Sequence, residues 1–382
     1  MKIVDFRART CSVPLEAPIR RGFGSLTHYS RTILELITDE TLEGRAVAGV
    51  GETFGSVTAV DFESCREALV GAGHFDLPSV LRLAGRSAPS DLLPAILSAI
   101  ECAFLDLQGK ATGLPVCELL GGRERSKVEV AASVGYRLAN PERNVAPIGT
   151  PGELVRHGQD LVWRYGFRTL GFEGGVFEIE KESEALEALR AAFPASGFRL
   201  RFDLRRSLEP ACVARLVRLA TAVELEFIKN PSAGLPATSR ARAQGVQPIA
   251  LDAGACGLDL LLRAVRLGAI DVPLCDPCLS GGCRSALHLA FAAAELGLSI
   301  SLGGTSELGL GLAQKLHLAC AMPGIACAIE TGYHHLTNDI LVDRLHCVAG
   351  EMQPPAGPGW GAVLDEDKVA RYEEAHRRRA SA

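Results

Sequence analysis

Along the first 60 residues the apolar positions alternate with polar ones in three runs: residues 2–8, 31–38 and 46–52, the last following a turn at Gly44. Alternation carried by Val, Ile, Leu and Thr predicts a small antiparallel sheet. Between its first two strands, residues 18–25 (PIRRGFGS) carry glycines and charges that suit a mobile loop. Residues 61–85 and 91–112 read as helices. In the second, Ile96, Ile100, Ala103, Phe104 and Leu107 recur at helical spacing, which turns one face inward.

From about residue 126 the pattern becomes a repeat of a short apolar run, a loop and an amphipathic helix. The strand candidates are residues 128–134, 169–173, 200–203, 224–228, 249–252, 272–276, 299–302 and 326–330. Eight near-continuous apolar strands interleaved with helices predict a parallel sheet covered on both sides, and eight is the number that closes a barrel. An open doubly wound sheet is the alternative, but no Gly-x-Gly-x-x-Gly follows the first strand. The expected fold class is therefore α/β: a modified TIM barrel, (β/α)7–8, spanning residues 126–345. An N-terminal α+β capping domain covers residues 1–125, and residues 346–382, with a last helix over 365–379, pack back on it.

Composition narrows the class. The 382 residues carry 45 Asp+Glu against 40 Lys+Arg, a net charge of −5, which argues against a dedicated nucleic-acid or membrane-surface binder. The opening residues lack the basic and apolar regions of a signal peptide, and no stretch of about 18 apolar residues suggests a membrane span. A cytoplasmic protein is expected. Twelve cysteines then read as reduced thiols, mostly small apolar filler. Cys256, Cys275, Cys278 and Cys283 could gather at the barrel mouth and bind zinc, although they lack the paired Cys-x2-Cys spacing of common zinc sites.

In a (β/α)8 barrel the chemistry sits at the C-terminal ends of the strands. Those ends carry Glu173, Asp203, Lys229, Asp252, Asp276, Gly303 with Thr305, and Glu330. Six of the seven offer an ionisable side chain, where 22% charged residues would supply about one or two by chance. Arg205 and Arg206 follow Asp203, suited either to clamping a substrate carboxylate or to pairing with Glu173. His334 and His335 follow Glu330, while His288 and His317 fall within helices.

The run SAIECAFLDLQGK (residues 98–110), continued by GLP (113–115) and LLGG (119–122), resembles the end of the capping domain in the enolase superfamily. The segments YGF (165–167), GGV (174–176) and DVPLCDP (271–277) resemble its glucarate dehydratase and mandelate racemase branch. The resemblance implies an α+β cap over a modified TIM barrel. It implies that residues 18–25 and the loop after Glu52 close over a small carboxylate substrate, with Arg21 at hand. It also implies a homo-oligomer. The family's chemistry is abstraction of the proton α to a carboxylate, with Mg²⁺ on three strand-end ligands and Lys and His bases on either side.

Carried over position by position, the resemblance describes a divergent member lacking most catalytic residues. The family's Lys-x-Lys falls on Gly171-Phe172-Glu173, and its catalytic His on Gly303. The metal positions fall on Asp203, Lys229 and Asp252, and the Asp that orients the His is Asp276. A Lys ammonium cannot ligate, which argues against Mg²⁺ although the family implies it. Three readings stay open. One is an enzyme, a dehydratase or epimerase at the carbon α to a carboxylate of a small hydroxy acid. It would use a non-standard, Mg-independent site, with Lys229, Asp276, Glu330 and Glu173 as catalytic candidates. Arg205, Thr305, His334 and Arg21 would then bind substrate, and His334 or His335 could stand in for the missing base. Another is a catalytically silent relative with a ligand-binding or structural role. The last is a slipped alignment that conceals a conventional Mg²⁺ enzyme.

Overall fold

The computed structural model describes residues 1–22, 24–42, 45–246, 248–252, 257–304 and 306–381. Thr305 and Cys256, both named as candidates from the sequence, lie outside them.

The three N-terminal strands, β1 (Ile3–Arg21), β2 (Gly24–Leu42) and β3 (Arg45–Phe54), form an antiparallel sheet in that order. The expected loop at residues 18–25 is instead mostly strand, because Ile19, Arg20 and Arg21 pair with Leu26, Ser25 and Gly24 after a register shift. The sheet packs on the helix Leu93–Thr112, which is buried along most of its length. Gly51 permits that approach: a Cβ there would lie 2.2 Å from the Ala99 carbonyl oxygen. The helix expected over 61–85 is broken into Ala59–Glu63, Arg66–Leu69 and Leu77–Ser87. Gly71, at φ 90°, turns the chain between the last two.

Eight parallel strands follow: β4 (Val128–Gly135), β5 (Thr169–Glu173), β6 (Arg199–Asp203), β7 (Phe227–Lys229), β8 (Ile249–Leu251), β9 (Val272–Cys275), β10 (Ser301–Leu302) and β11 (Ile329–Thr331). They run in the order β10-β9-β8-β7-β6-β5-β4-β11, a nearly closed barrel with helices between successive strands. Alternation sorts their side chains. Phe172, Phe202, Ile228 and Ile249 join the large core between strands and helices, while Phe227, Ala250, Val272 and Leu274 fill the barrel itself. The C-terminal segment returns to the cap. The Trp360 backbone N–H donates to Asp106 (2.9 Å) and its indole to the Val50 and Cys102 carbonyls, and Arg9 pairs with Glu366 (2.8 Å) of the last helix, Glu366–Ala380.

All eleven cysteines among the described residues are free. Cys275 is fully buried, Cys278 lies 3.1 Å from Arg31 Nη2, and the Cys283 thiol faces Cys102 at 4.0 Å. Of the four cysteines that could have gathered, Cys275, Cys278 and Cys283 thus meet different surroundings, and no metal-ligating group of three or more occurs among the described residues. No described helix is long and apolar enough to cross a membrane.

Candidate active site

Strand register sets the site. Glu173, Asp203 and Lys229 are aligned across β5, β6 and β7, so their side chains emerge together at the C-terminal rim. Asp252 and Glu330, from the ends of β8 and β11, complete the ring. Lys229 Nζ lies 2.6 Å from Glu330 Oε2, 3.4 Å from Asp203 Oδ2 and 3.4 Å from Asp252 Oδ1. Only 6 % of Lys229 is exposed.

Each carboxylate is aimed by a second bond. Asn230, at φ 45°, donates its amide to Asp252 (2.7 Å) and accepts the Asp252 N–H (3.2 Å). Asp203 Oδ1 accepts the Arg205 N–H at 2.8 Å, in a turn where Arg205 and Arg206 both adopt positive φ, 50° and 67°. Non-glycine residues in that region cost roughly 1–3 kcal/mol and mark a geometry the surroundings impose. Glu330 Oε2 accepts the Gly304 N–H (3.1 Å), and its backbone carbonyl accepts from Lys315 Nζ (3.0 Å). The Arg205 guanidinium is ion-paired with Glu173.

These contacts set the charges. Burial works against the Lys229 ammonium, but Glu330, Asp252 and Asp203 outweigh it and raise its pKa well above the usual value. Lys229 is therefore a fixed cation and no longer a candidate acid or base at neutral pH. Burial likewise acts to raise Glu330, yet Lys229 and Arg201 hold it below the usual carboxylate range. Asp203 goes the other way: burial, with Glu173, Asp252 and Glu330 around it, pushes it up to about 7 despite Lys229.

The cluster floors a cavity of about 570 Å³ whose roof is the cap, through Ile19, Arg21, Tyr29 and Phe54. Of the residues singled out from sequence, Lys229, Glu330, Glu173, Arg205, Arg21, Asp203 and Asp252 line it. Two do not. Asp276 is 3 % exposed and caps the turn Pro277–Ser280, its Oδ1 accepting the Cys278 and Leu279 N–H groups at 2.8 and 3.3 Å. An Asp followed by Pro at the first helical position makes such a cap, and the carboxylate is thereby turned from the cavity. His334 is also held elsewhere. Its Nε2 donates to the Ser133 carbonyl (3.0 Å), its ring packs on Phe167 and His335, and burial drops its pKa to about 4. Burial also holds His335 well below the usual imidazole range, and it too is absent from the lining.

Arg201 was not anticipated. It lies two residues before Asp203 on the same face of β6, beside Gly171, and lines the cavity. Its Nε donates to Glu226 (2.6 Å) and its guanidinium stacks on Phe227 at 4.5 Å, while Nη1 and Nη2 are buried without a partner. The period-2 pattern contained that signal, since counting back from Asp203 reaches Arg201. Tyr29 and Asn230 carried no comparable signal. The donors do not fit a divalent cation: an ammonium, which has no lone pair, stands where the three carboxylates converge.

Residues 4–121 match the mandelate racemase / muconate lactonizing enzyme N-terminal domain, and residues 153–368 the enolase C-terminal domain-like family. A probable glucarate dehydratase of Streptomyces coelicolor is 30% identical over 375 residues, covering 90% of this chain and 85% of that one. An N-succinylamino acid racemase of Thermus thermophilus is 29% identical over 387 residues, covering 97% of each. A Thermobispora bispora enolase solved with magnesium and formate superposes with a TM-score of 0.89 at 31% identity, covering 99% of this chain and 94% of that one. A Mycobacterium smegmatis enolase solved with tartrate gives 0.88 at 30% identity, covering 99% and 92%. Two family domains end to end, a cap closing a strand-end cavity, and full-length relatives in sequence and structure lead to one conclusion: the chain belongs to the enolase superfamily, on its mandelate racemase and glucarate dehydratase branch.

Proposed function

We propose that this chain is a lyase or isomerase acting at the carbon α to a carboxylate of a hydroxy acid, without a bound divalent metal. The observation that carries the proposal is the Lys229 ammonium, bonded to Glu330 and flanked by Asp203 and Asp252 on the floor of the cavity. It supplies a permanent positive charge beside the reacting centre, the electrostatic part of what a metal provides in enolate chemistry. The relatives, a probable dehydratase and a racemase, support the reaction class.

Roles follow from charge and position. Arg21 and Arg206 line the cavity and make no ion pair among the described residues, so they receive the substrate carboxylate. Asp203, titrating at about 7, is ionised in a useful fraction at neutral pH and takes the α proton. The electron pair left behind spreads into the carboxylate, facing Lys229 and the arginines. Asp203 then gives the proton to a departing β-hydroxyl, which leaves as water; where the centre is inverted, water in the cavity supplies a proton to the opposite face and Asp203 gives up its own to solvent. Glu330 and Asp252 fix Lys229, and Glu173 fixes Arg205.

The silent alternative is favoured by one observation: among the described lining residues there is no histidine, and no lysine besides Lys229. Exchange of the α proton for deuterium in D₂O, followed by NMR across a panel of 2-hydroxy acids in the presence of chelator, separates the two. The proposal expects exchange that falls at least about 100-fold in Asp203→Asn and in Lys229→Met. Binding of a hydroxy acid with no exchange would assign the silent role instead.

A further inference from the structure

One pair of thiols spans the seam between cap and barrel. Cys102 lies in the middle of the cap helix Leu93–Thr112, and Cys283 is the first residue of the barrel helix Cys283–Glu295. Their sulfurs stand 4.0 Å apart, about 2 Å beyond a bonded pair, although the residues are 181 positions apart in the sequence. Both are buried, but Gly281 and Arg284 on either side of Cys283 are partly exposed, so the seam reaches solvent close to the pair.

The neighbours hold the two sulfurs face to face. Glu101, next to Cys102 on the cap helix, accepts the Arg284 backbone N–H at 3.3 Å, and its other oxygen lies 3.7 Å from the Arg284 guanidinium. Gly282 admits the carboxylate, since a Cβ there would sit 1.9 Å from Glu101 Oε2. A cap carboxylate thus docks on the first turn of the barrel helix and brings the adjacent thiols together. The contact also bears on the first cavity. Cys283 ends the segment that begins at Asp276 and carries Leu279, a lining residue, while the cap helix packs on the sheet that bears Tyr29 and Phe54 of the roof.

We infer that Cys102 and Cys283 are a site of oxidative cross-linking, at which a peroxide joins the cap helix to the barrel through a disulfide bond. The hydrogen bond between the thiols raises Cys102 and lowers Cys283, and burial raises both, so Cys283 is the sulfur that ionises and attacks. Its thiolate takes one oxygen from hydrogen peroxide and expels hydroxide, giving a sulfenic acid. The Cys102 sulfur then displaces that oxygen, which departs with a proton as water. In sum, two thiols give up two electrons and two protons, and one peroxide becomes two waters. The bond closes a long loop and ties the roof of the cavity to the barrel, although neither sulfur lines that cavity.

The test treats the full chain with hydrogen peroxide at about pH 8.5, where thiolates form more readily, alkylates the remaining thiols in denaturant, and digests without reduction. Mass spectrometry should find the peptides carrying Cys102 and Cys283 joined, lighter than their sum by two hydrogens. The thermal midpoint of the oxidised protein should rise by at least about 5 °C and fall back with dithiothreitol. Cys102→Ala and Cys283→Ala should each abolish the rise, whereas Cys278→Ala, at the thiol beside Arg31, should keep it. Should either of the first two variants fail to fold, the joined peptides of the natural protein still decide. Cys102 and Cys283 unjoined after oxidation, Cys278 joined in place of either, or a thermal midpoint that does not move would overturn the inference.

Discussion

Two clusters of buried charge lie within this fold, and they are built differently. Between cap and barrel, Arg31 (2 % exposed) pairs with Glu52 (0 %) at 3.0 Å, and the Glu52 oxygens also accept the Leu308 and Gly311 N–H groups at 2.9 and 2.7 Å. Close by, Lys315 pairs with Glu307 at 2.8 Å. That region is sealed. At the barrel mouth, by contrast, one ammonium serves three carboxylates under a cavity, two Arg201 nitrogens lack partners, and one carboxyl is pushed up to about 7. The difference separates a clamp from a site. A cluster that satisfies itself holds two domains together, whereas one left short of partners is ready for something from outside.

The sealed cluster should be the more expensive to damage. Glu52→Gln removes the carboxylate 3.0 Å from the buried Arg31 guanidinium, and breaking such pairs costs about 3–5 kcal/mol, read as a loss in urea unfolding free energy. Lys315→Met comes next, at about 3 kcal/mol, because it removes the ammonium 2.8 Å from buried Glu307 and a donor to the Glu330 carbonyl. This residue links the two regions, so its loss should also lower the exchange rate through displaced Glu330. A stability cost with unchanged exchange would show that the clusters act separately. Lys229→Met should cost less, about 2 kcal/mol near neutral pH, since Asp203 can take up a proton and the cavity admits solvent. Mg²⁺ should stabilise that variant against heat and leave the natural protein unmoved, because only the variant offers carboxylates without an ammonium among them. Equal costs for Glu52→Gln and Lys229→Met would erase the contrast.

The same contrast governs what the sequence could disclose. The barrel was legible because its strands are apolar runs at regular intervals, and strand ends pointed to Glu173, Asp203, Lys229, Asp252 and Glu330 without any contact being known. Asp276 and His334 satisfied the same rule yet turn away, one captured by two N–H groups of the following turn and the other by the Ser133 carbonyl. Position along a strand places a side chain at the mouth. It does not say which nearby backbone group will claim it. Residues 18–25 misled for a related reason: glycines and charges suit a loop, but pairing with Leu26, Ser25 and Gly24 overrides that preference. Arg201 was present in the alternation, but an arginine inside a barrel contradicts the usual sorting of charge outward, and only the Phe227 face and Glu226 make its place intelligible.

The smallest effect is the most specific, for it asks whether the open cluster is short of partners in solution as well as in geometry. Asp203 has its folded pKa raised to about 7 from the 3.8 of a free carboxyl, chiefly by burial, so the folded protein binds the proton more tightly than the unfolded chain. Stability from that proton is complete below about pH 3.8 and is lost as pH climbs through about 7. Asp203→Asn cannot titrate. Relative to it, the natural protein should therefore lose about 1 kcal/mol between about pH 6 and 7. The exchange rate should rise over the same interval as the carboxylate forms to accept the α proton. A flat difference across that window would mean that Lys229 keeps Asp203 ionised throughout. The mouth cluster would then be as self-sufficient as Arg31 and Glu52, and the base would have to be sought at Glu173.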